Sequence, residues 1–188
     1  MAVFAGKGSG VFLFQGGDMS VQVAIIMGSR SDLEAMSETF KVLSQFHIEF
    51  EAHALSAHRT PDAVRELAEG LEGRGIKILI AGAGGAAHLA GVCASHTSLP
   101  VIGVPMKTSM MGGLDSLLST VQMPRGIPVA TTAVGASGAY NAAFLAVSIL
   151  ALGDRDLATA YKEFRRNQTQ KVLTSSEIDV AEILTDEK

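Results

Sequence analysis

Short apolar runs recur along the chain, and each is followed by a loop and then by a stretch with helical spacing. The run VQVAIIM at 21–27 is almost wholly apolar and rich in Val and Ile, as expected of a strand buried on both faces. The stretch after the next loop, LEAMSETFKVLSQF at 33–46, repeats apolar residues every three or four positions, which is typical of one helical face. This alternation constrains the fold more than any other feature of the sequence.

The same alternation continues through most of the chain. The predicted strands are 21–27, 47–55, 76–83, 100–105 and 127–134. The predicted helices are 33–46, 61–72, 84–97, 114–120, 137–152 and 154–173. Strands that alternate with helices form a parallel sheet covered on both faces, so the sequence predicts a single α/β domain.

Charge and cysteine content narrow the classes of function. The formal net charge of −4 gives no sign of the basic face that nucleic-acid binding needs. The one cysteine, Cys93, excludes an internal disulfide and a cysteine-rich zinc site, and it fits a cytoplasmic protein. His47, His53 and His96 lack metal-ligand spacing, so we expect no metal.

Apolar content favours association with other copies of the chain. The longest apolar run, Ala142 to Leu152, is too short for a membrane span, which needs about 20 residues. Mean hydropathy is nevertheless +0.29, so we expect a homo-oligomer. The predicted helix at 137–152 carries a row of small residues, which can pack on its own sheet, contact another subunit, or do both. These residues are Gly138, Ala139, Ala142, Ala143 and Ala146.

The two ends of the chain differ in composition from the middle. Residues 1–20 carry only Lys7 as a basic start and no clear cleavage site, which argues against a signal peptide. We expect them to be an extension that is disordered or lies upstream of a true start at Met19. The folded domain is predicted at 21–173, and 174–188 is expected to be a polar tail.

Loops that follow strands are the expected ligand-binding segments, because ligands of parallel sheets bind beyond the carboxyl ends of the strands. The loop GSRSD at 28–32 offers Ser29 and Ser31 hydroxyls beside the start of a helix, which suits a phosphate. Asp32 would repel phosphate, so it either accepts from sugar hydroxyls or caps the helix. Plain capping by Ser31 or Asp32 is the alternative. The loop at 105–113 is expected to reach the same edge.

The loop SAHRT at 56–60 places a histidine beside an arginine. Arg59 is a permanent cation suited to bidentate phosphate contact, and His58 can exchange a proton at neutral pH. The alternative is a histidine that only hydrogen-bonds a neighbour. The position of this loop at the carboxyl edge favours function.

The loop after the third strand, GAGGAAH at 82–88, is made of small residues that let a ligand approach the backbone. Tight packing is the alternative, and His88 within the predicted helix is more readily structural than catalytic. Serine hydrolysis is disfavoured because no G-x-S-x-G elbow occurs. Cys93 is a poor nucleophile candidate since it lies within an apolar helix.

Six motifs in order resemble one family. MGSRSD, SAHRTP, AGAGGAAHL, PVIGVP, GLDSLLSTVQMPRGIPVAT and the Asn-Ala run at 141–143 are similar to the class I PurE family of N5-carboxyaminoimidazole ribonucleotide mutases. The resemblance covers about 21–173. One departure is Ala90, where many members have proline.

The resemblance implies a three-layer, flavodoxin-like α/β/α sandwich, a homo-octamer, no cofactor and a nucleotide substrate from de novo purine synthesis. It implies that His58 carries the proton, that Ser29, Ser56 and Arg59 hold the phosphate with Ser31 nearby, and that Asp32 binds the ribose. The base and carboxylate pocket would be lined by Ala83, Gly84, Ala86, His88 and Leu89. Gln122 and Met123 would come from a neighbouring subunit.

Two rivals remain open on the sequence. A class II enzyme carboxylates aminoimidazole ribonucleotide with free carbon dioxide and has a similar fold and histidine. The SLLSTVQMPRGIPVAT run resembles class I rather than class II. A non-catalytic nucleotide-binding module on the same fold is the other rival, and it predicts that His58 is structural.

Overall fold

A five-stranded parallel sheet organises the chain in the computed structural model, which describes residues 20–176. The strands are β1 (Val23–Met27), β2 (Phe50–Ala54), β3 (Ile78–Ala83), β4 (Val101–Pro105) and β5 (Ala130–Thr131). Their order across the sheet is β2-β1-β3-β4-β5, and every pairing is parallel. This is the flavodoxin-like order, with the reversal of direction between β1 and β3.

Helices cover both faces of the sheet, which confirms the three-layer sandwich. The helices are α1 (Leu33–Gln45), α2 (Pro61–Gly70), α3 (Leu89–Ala94), α4 (Leu114–Val121), α5 (Ala136–Leu150) and α6 (Arg155–Thr174). Short 3-10 turns lie at Arg30–Asp32 and Glu72–Arg74. Alternate residues of the strands enter two separate cores, one with α1 and α5 and the other with α2 and α3.

The small residues of α5 pack within their own chain. Gly138, Ala139, Ala142, Ala143 and Ala146 are all buried, and Thr39 of α1 donates to the carbonyl of Ala139. A Cβ at Gly138 would lie 1.6 Å from the carbonyl oxygen of Ala133, so no other residue fits that position. Packing on the sheet and on α1 therefore accounts for this row of small residues.

Two predicted elements are shorter than the sequence pattern indicates. The helix predicted at 84–97 spans only Leu89–Ala94, because Gly85 has a φ of +69° and the chain makes tight turns before His88. The strand predicted at 127–134 is reduced to Ala130–Thr131, at the edge of the sheet after the turn at Gly126. The expectations for residues 1–19 and 177–188 lie outside the described residues.

Candidate active site

The loops after β1, β2, β3 and β4 surround a pocket of about 460 Å³ at the carboxyl edge of the sheet. This is the place where the strand order reverses, as expected for an open parallel sheet. The pocket lining includes most of the residues that the sequence singles out for binding and catalysis. These are Ser29, Ser31, Asp32, Ser56, His58, Arg59, Ala83, Gly84, Ala86 and Leu89.

Hydrogen bonds of Ser29 and Ser31 hold the loop after β1 together. The Ser29 hydroxyl accepts from the backbone N–H of Ser31 at 3.2 Å, and the Ser31 hydroxyl donates to Asp32 at 3.4 Å. Asp32 makes no capping hydrogen bond to α1, so capping of that helix by Ser31 or Asp32 is wrong. Burial raises the pKa of Asp32, although hydrogen bonds from Ser29 and Ser31 oppose the shift. The Asp32 carboxylate is thus left beside the pocket as a potential acceptor.

The loop after β2 is a tight turn that presents two side chains. Thr60 closes it, because its backbone N–H donates to the Ser56 carbonyl at 2.9 Å and its hydroxyl accepts from the Ser56 N–H at 2.9 Å. The Ser56 hydroxyl accepts from the N–H of Arg59. The guanidinium of Arg59 donates to the carbonyl of Gly28 at 3.1 Å, which ties this loop to the one after β1. His58 and Arg59 both remain exposed at the pocket.

His58, which lines the pocket, contacts His88, which is not part of the lining. Nε2 of His58 lies 3.0 Å from Nδ1 of His88, and the rings are nearly perpendicular at 89°. In this contact one nitrogen donates and the other accepts, so the tautomer of one ring fixes that of the other. His88 lies just before α3 rather than within a helix, and both rings are exposed. The contact joins the loops after β2 and β3 and gives His58 a partner for proton exchange.

The loop after β3 is held by α4. The Ser116 hydroxyl accepts from the N–H of Gly85 at 2.9 Å, and the Ser119 hydroxyl donates to the Gly85 carbonyl at 3.2 Å. Gly84 lets the loops after β3 and β4 pack closely, since a Cβ there would lie 3.1 Å from Cβ of Met106. The resulting wall of Ala83, Gly84 and Ala86 presents few atoms to a ligand, in line with the expectation of close backbone approach.

The loop after β4 supplies three lining residues that the sequence interpretation does not assign, Met106, Lys107 and Thr108. Gly28 and Ala57 complete the lining. The available signal was the position of the loop 105–113, which immediately follows a predicted strand. Lys107 adds a second cation to the pocket, so Arg59 and Lys107 outnumber the one carboxylate of Asp32.

Gln122 and Met123 do not line this pocket within one chain. Gln122 follows the last residue of α4 and is exposed, while Met123 packs on α3, where a Cβ at Gly91 would lie 2.8 Å from its sulfur. Their predicted contribution to the site of a neighbouring subunit stays a prediction.

Other histidines lie away from the pocket. His53 pairs with Glu51 and His96 with Glu69, while His47 has a positive φ of 55° at the end of α1. Within residues 20–176 no group of three His, Cys, Asp or Glu could hold a metal ion. The helices of that part of the chain include none that is long and apolar enough to cross a membrane.

Comparison with known proteins gives matches over nearly the whole described part. The family model described as AIR carboxylase matches residues 22–171. An N5-carboxyaminoimidazole ribonucleotide mutase of Pseudomonas aeruginosa is 54% identical over 155 residues, which cover 82% of this chain and 95% of that protein. A protein of the same name from Bacillus subtilis is 53% identical over 159 residues, covering 85% of this chain and 98% of the relative.

Solved structures give the same result. The crystal structure of Treponema denticola PurE is similar with a TM-score of 0.73 and 29% identity, and the match covers 81% of this chain and 94% of that one. A PurE2 variant from the same organism has a TM-score of 0.76 and 28% identity, with 84% and 96% covered. The chain therefore belongs to the PurE family, the AIR carboxylase family that includes the N5-carboxyaminoimidazole ribonucleotide mutases.

Proposed function

We propose that this protein converts N5-carboxyaminoimidazole ribonucleotide to 4-carboxy-5-aminoimidazole ribonucleotide in de novo purine synthesis. The observation that carries the proposal is the pocket in which His58, in contact with His88, stands beside Arg59 on one loop. The names of relatives that share about half of their residues with this chain support the same reaction.

The charge of the pocket fits this substrate. The nucleotide carries a phosphate and a carboxylate, and the pocket offers Arg59 and Lys107 against the single carboxylate of Asp32. Neither cation forms an ion pair with any residue of the described part. Unpaired cations in a cleft attract an anionic ligand, even though the chain as a whole is negative.

The residues that the sequence singles out each have a role in the proposal. The phosphate is bound by Arg59 with Ser29 and Ser56, whose loops the Arg59–Gly28 hydrogen bond already brings together. Ser31 lies nearby, and Asp32 accepts from the ribose hydroxyls. The base and its carboxylate lie against small or apolar residues, with His88 at their side. These residues are Ala83, Gly84, Ala86 and Leu89.

His58 acts first as an acid and then as a base. Its imidazolium gives a proton to the exocyclic nitrogen while the bond from that nitrogen to the carboxylate carbon breaks, with the electron pair staying on nitrogen. Aminoimidazole ribonucleotide, carbon dioxide and neutral His58 result. Carbon 4 of the ring then forms a bond to the carbon dioxide, and the proton lost from carbon 4 returns to His58. The cycle needs no further reactant, so we propose that no cofactor takes part.

Contact with His88 suits this double role. The hydrogen bond keeps the His58 ring in one orientation, and the second imidazole can share the proton between the two steps. Small side chains around the base leave a confined space in which carbon dioxide stays near the ring and water is excluded.

The proposal also includes the association of several copies of this chain. Leu114, Leu118 and Val121 are exposed along one face of α4, at spacings of four and three residues, and exposed Met110 and Met111 adjoin it. A face of this kind supports association of several copies, which we propose to be the homo-octamer of the family, located in the cytoplasm. Gln122 and Met123 at the end of α4 would then reach a neighbouring pocket.

Product formation in buffer freed of bicarbonate tests the function. A mutase that retains its own carbon dioxide converts N5-carboxyaminoimidazole ribonucleotide to the carbon 4 carboxylate under these conditions. Conversion of aminoimidazole ribonucleotide alone, and only when carbon dioxide is supplied, would show a class II carboxylase instead. Failure of both reactions would leave a non-catalytic nucleotide-binding protein.

A further inference from the structure

Lys107 is a cation that lines the pocket without a partner. It is exposed at the residue that follows Met106, directly beyond the end of β4. Its ammonium makes no hydrogen bond or ion pair with any residue from 20 to 176. The roles proposed above leave it without a function.

The backbone on both sides of Lys107 is fixed. The N–H of Met106 donates to the carbonyl of Ala83 at 2.8 Å, which continues the β3–β4 pairing by one residue. On the other side the Thr108 hydroxyl donates to Asp115 at 2.6 Å. The start of the side chain is therefore positioned by the sheet and by α4, and only the flexible stem decides where the ammonium lies.

Arg59 and Lys107 stand at opposite ends of the pocket. Arg59 is tied to Gly28 after β1, whereas Lys107 follows β4, and β3 lies between these two strands. Adjacent strands are about 4.8 Å apart, so the two ends are separated by about 10 Å. With their starting points this far apart, the two cations can hold two different anionic groups of one nucleotide.

We propose that Lys107 binds the carboxylate that the reaction moves, and that it thereby distinguishes carboxylated nucleotides from aminoimidazole ribonucleotide. This inference rests on the proposed function. The exocyclic nitrogen and carbon 4 are neighbouring positions of the substrate, and an ammonium with three donors on a four-carbon stem can follow a carboxylate from one to the other. Because aminoimidazole ribonucleotide has no carboxylate, Lys107 contributes nothing to its binding.

The inference is tested by measuring how strongly two nucleotides bind to two variants of the protein. Lys107→Met is compared with Lys77→Met, which removes the same charge from an exposed position at the opposite, amino edge of the sheet. Calorimetric titration is done with 4-carboxy-5-aminoimidazole ribonucleotide and with aminoimidazole ribonucleotide. We expect Lys107→Met to weaken binding of the carboxylated nucleotide about tenfold to a hundredfold, the range for a charged hydrogen bond. Aminoimidazole ribonucleotide should bind to it as it does to the wild type, and Lys77→Met should change neither affinity.

Several results would overturn the assignment. Equal weakening for both nucleotides would place Lys107 at the phosphate, and no weakening for either would exclude it from binding. If Lys107→Met lowers the melting temperature, the same comparison is made with Lys107→Gln, which keeps a polar side chain at that position. A wild-type protein that binds neither nucleotide would refute the proposed function itself, which separates that failure from an error about Lys107.

Discussion

Two clusters of one histidine, one arginine and one carboxylate lie near β2, and they are built in opposite ways. The first joins Glu51 and His53 of the strand to Arg74 of the 3-10 turn after α2. Arg74 donates to one carboxylate oxygen of Glu51 at 2.7 Å, and Nε2 of His53 lies 3.1 Å from the other. The second contact has hydrogen-bond length but not hydrogen-bond alignment. The Glu51 side chain is only 6% exposed.

The second cluster consists of His58 and Arg59, which follow the same strand, and Asp32, which follows the neighbouring strand β1. Here Arg59 is bound to a backbone carbonyl instead of the carboxylate, and the hydrogen-bond partner of His58 among residues 20–176 is another imidazole. All three side chains face the pocket. The two clusters contain the same types of residue. They differ in whether the charged groups pair with each other, as in the first cluster, or stay available to a ligand, as in the second.

The largest expected difference between the clusters concerns their histidines. His58→Asn should lower turnover by at least about 10²–10⁴-fold, because a positioned acid–base group contributes that much. Nucleotide binding should stay within a few-fold of the wild type, since Asn keeps a polar side chain near the His88 ring. His53→Asn should leave turnover unchanged and lower the free energy of unfolding by no more than about 1 kcal/mol, because its contact with Glu51 is not an aligned hydrogen bond. Steady-state kinetics, nucleotide titration and urea unfolding of both variants check this.

The distinction between the two clusters fails if His58→Asn and His53→Asn have the same effect on turnover and stability. Unchanged turnover in His58→Asn would make this histidine structural and would favour a non-catalytic binding module. Loss of binding with normal turnover per bound substrate would assign His58 to the phosphate instead of to proton transfer.

Arginines should give the next largest difference. Arg59→Ala should weaken nucleotide binding by about 1.5–3 kcal/mol, the value of a hydrogen bond to a charged group. Arg74→Ala should leave binding unchanged and lower the free energy of unfolding by about 1–3 kcal/mol, because the buried carboxylate of Glu51 loses its shortest contact. Titration with aminoimidazole ribonucleotide and urea unfolding separate the two effects. Weaker binding in Arg74→Ala without loss of stability would contradict the division of roles.

Sequence alone locates the pocket because its key side chains lie in short loops at predictable strand ends. His58 and Arg59 follow β2 directly, and the periodicity of a parallel α/β chain brings that loop to the edge shared with Ser29 and Gly84. The contact of His58 with His88 could not be predicted, because the sequence suggests a helix over 84–97. Turn geometry at Gly85, which depends on Ser116 and Ser119 of α4, decides against that helix.

The sequence also does not show which charged residues pair with each other. Glu51 and His53 share a face of β2 by strand alternation, but Arg74 joins them only through the fold, 23 residues away from Glu51. The sequence places Lys107 in a loop at the ligand-binding edge, but only the order of the strands shows that it shares a pocket with Arg59. Tertiary proximity, not local propensity, decides which charged residues find partners.

The smallest expected effect is the pH dependence of the stability that the cluster of Glu51, His53 and Arg74 contributes. Burial by itself would raise the pKa of Glu51, but the contacts of its carboxylate with His53 and Arg74 outweigh burial and hold the pKa below its ordinary value of 4.5. A carboxyl with a lowered folded pKa stabilises the protein fully above its unfolded pKa, and this contribution is lost as the pH falls through the folded pKa. The free energy of unfolding should therefore contain a term from Glu51 that is present at neutral pH, declines as the pH falls below 4.5 and is lost once the pH has passed the lowered folded pKa.

Glu51→Gln removes that term and makes it measurable. At neutral pH the variant should be less stable than the wild type by about 1–2 kcal/mol, near the low end for a charged hydrogen bond, because 43% of the Arg74 side chain is open to water. The difference should shrink as the pH falls below 4.5, where the carboxyl of the unfolded chain is mostly protonated. Glu66→Gln, an exposed carboxylate of α2 without an ion pair in the described part, should match the wild type at every pH. Urea unfolding from neutral to acid pH gives the three curves, and a constant gap between wild type and Glu51→Gln would mean that the Glu51 carboxylate is not stabilised by its neighbours.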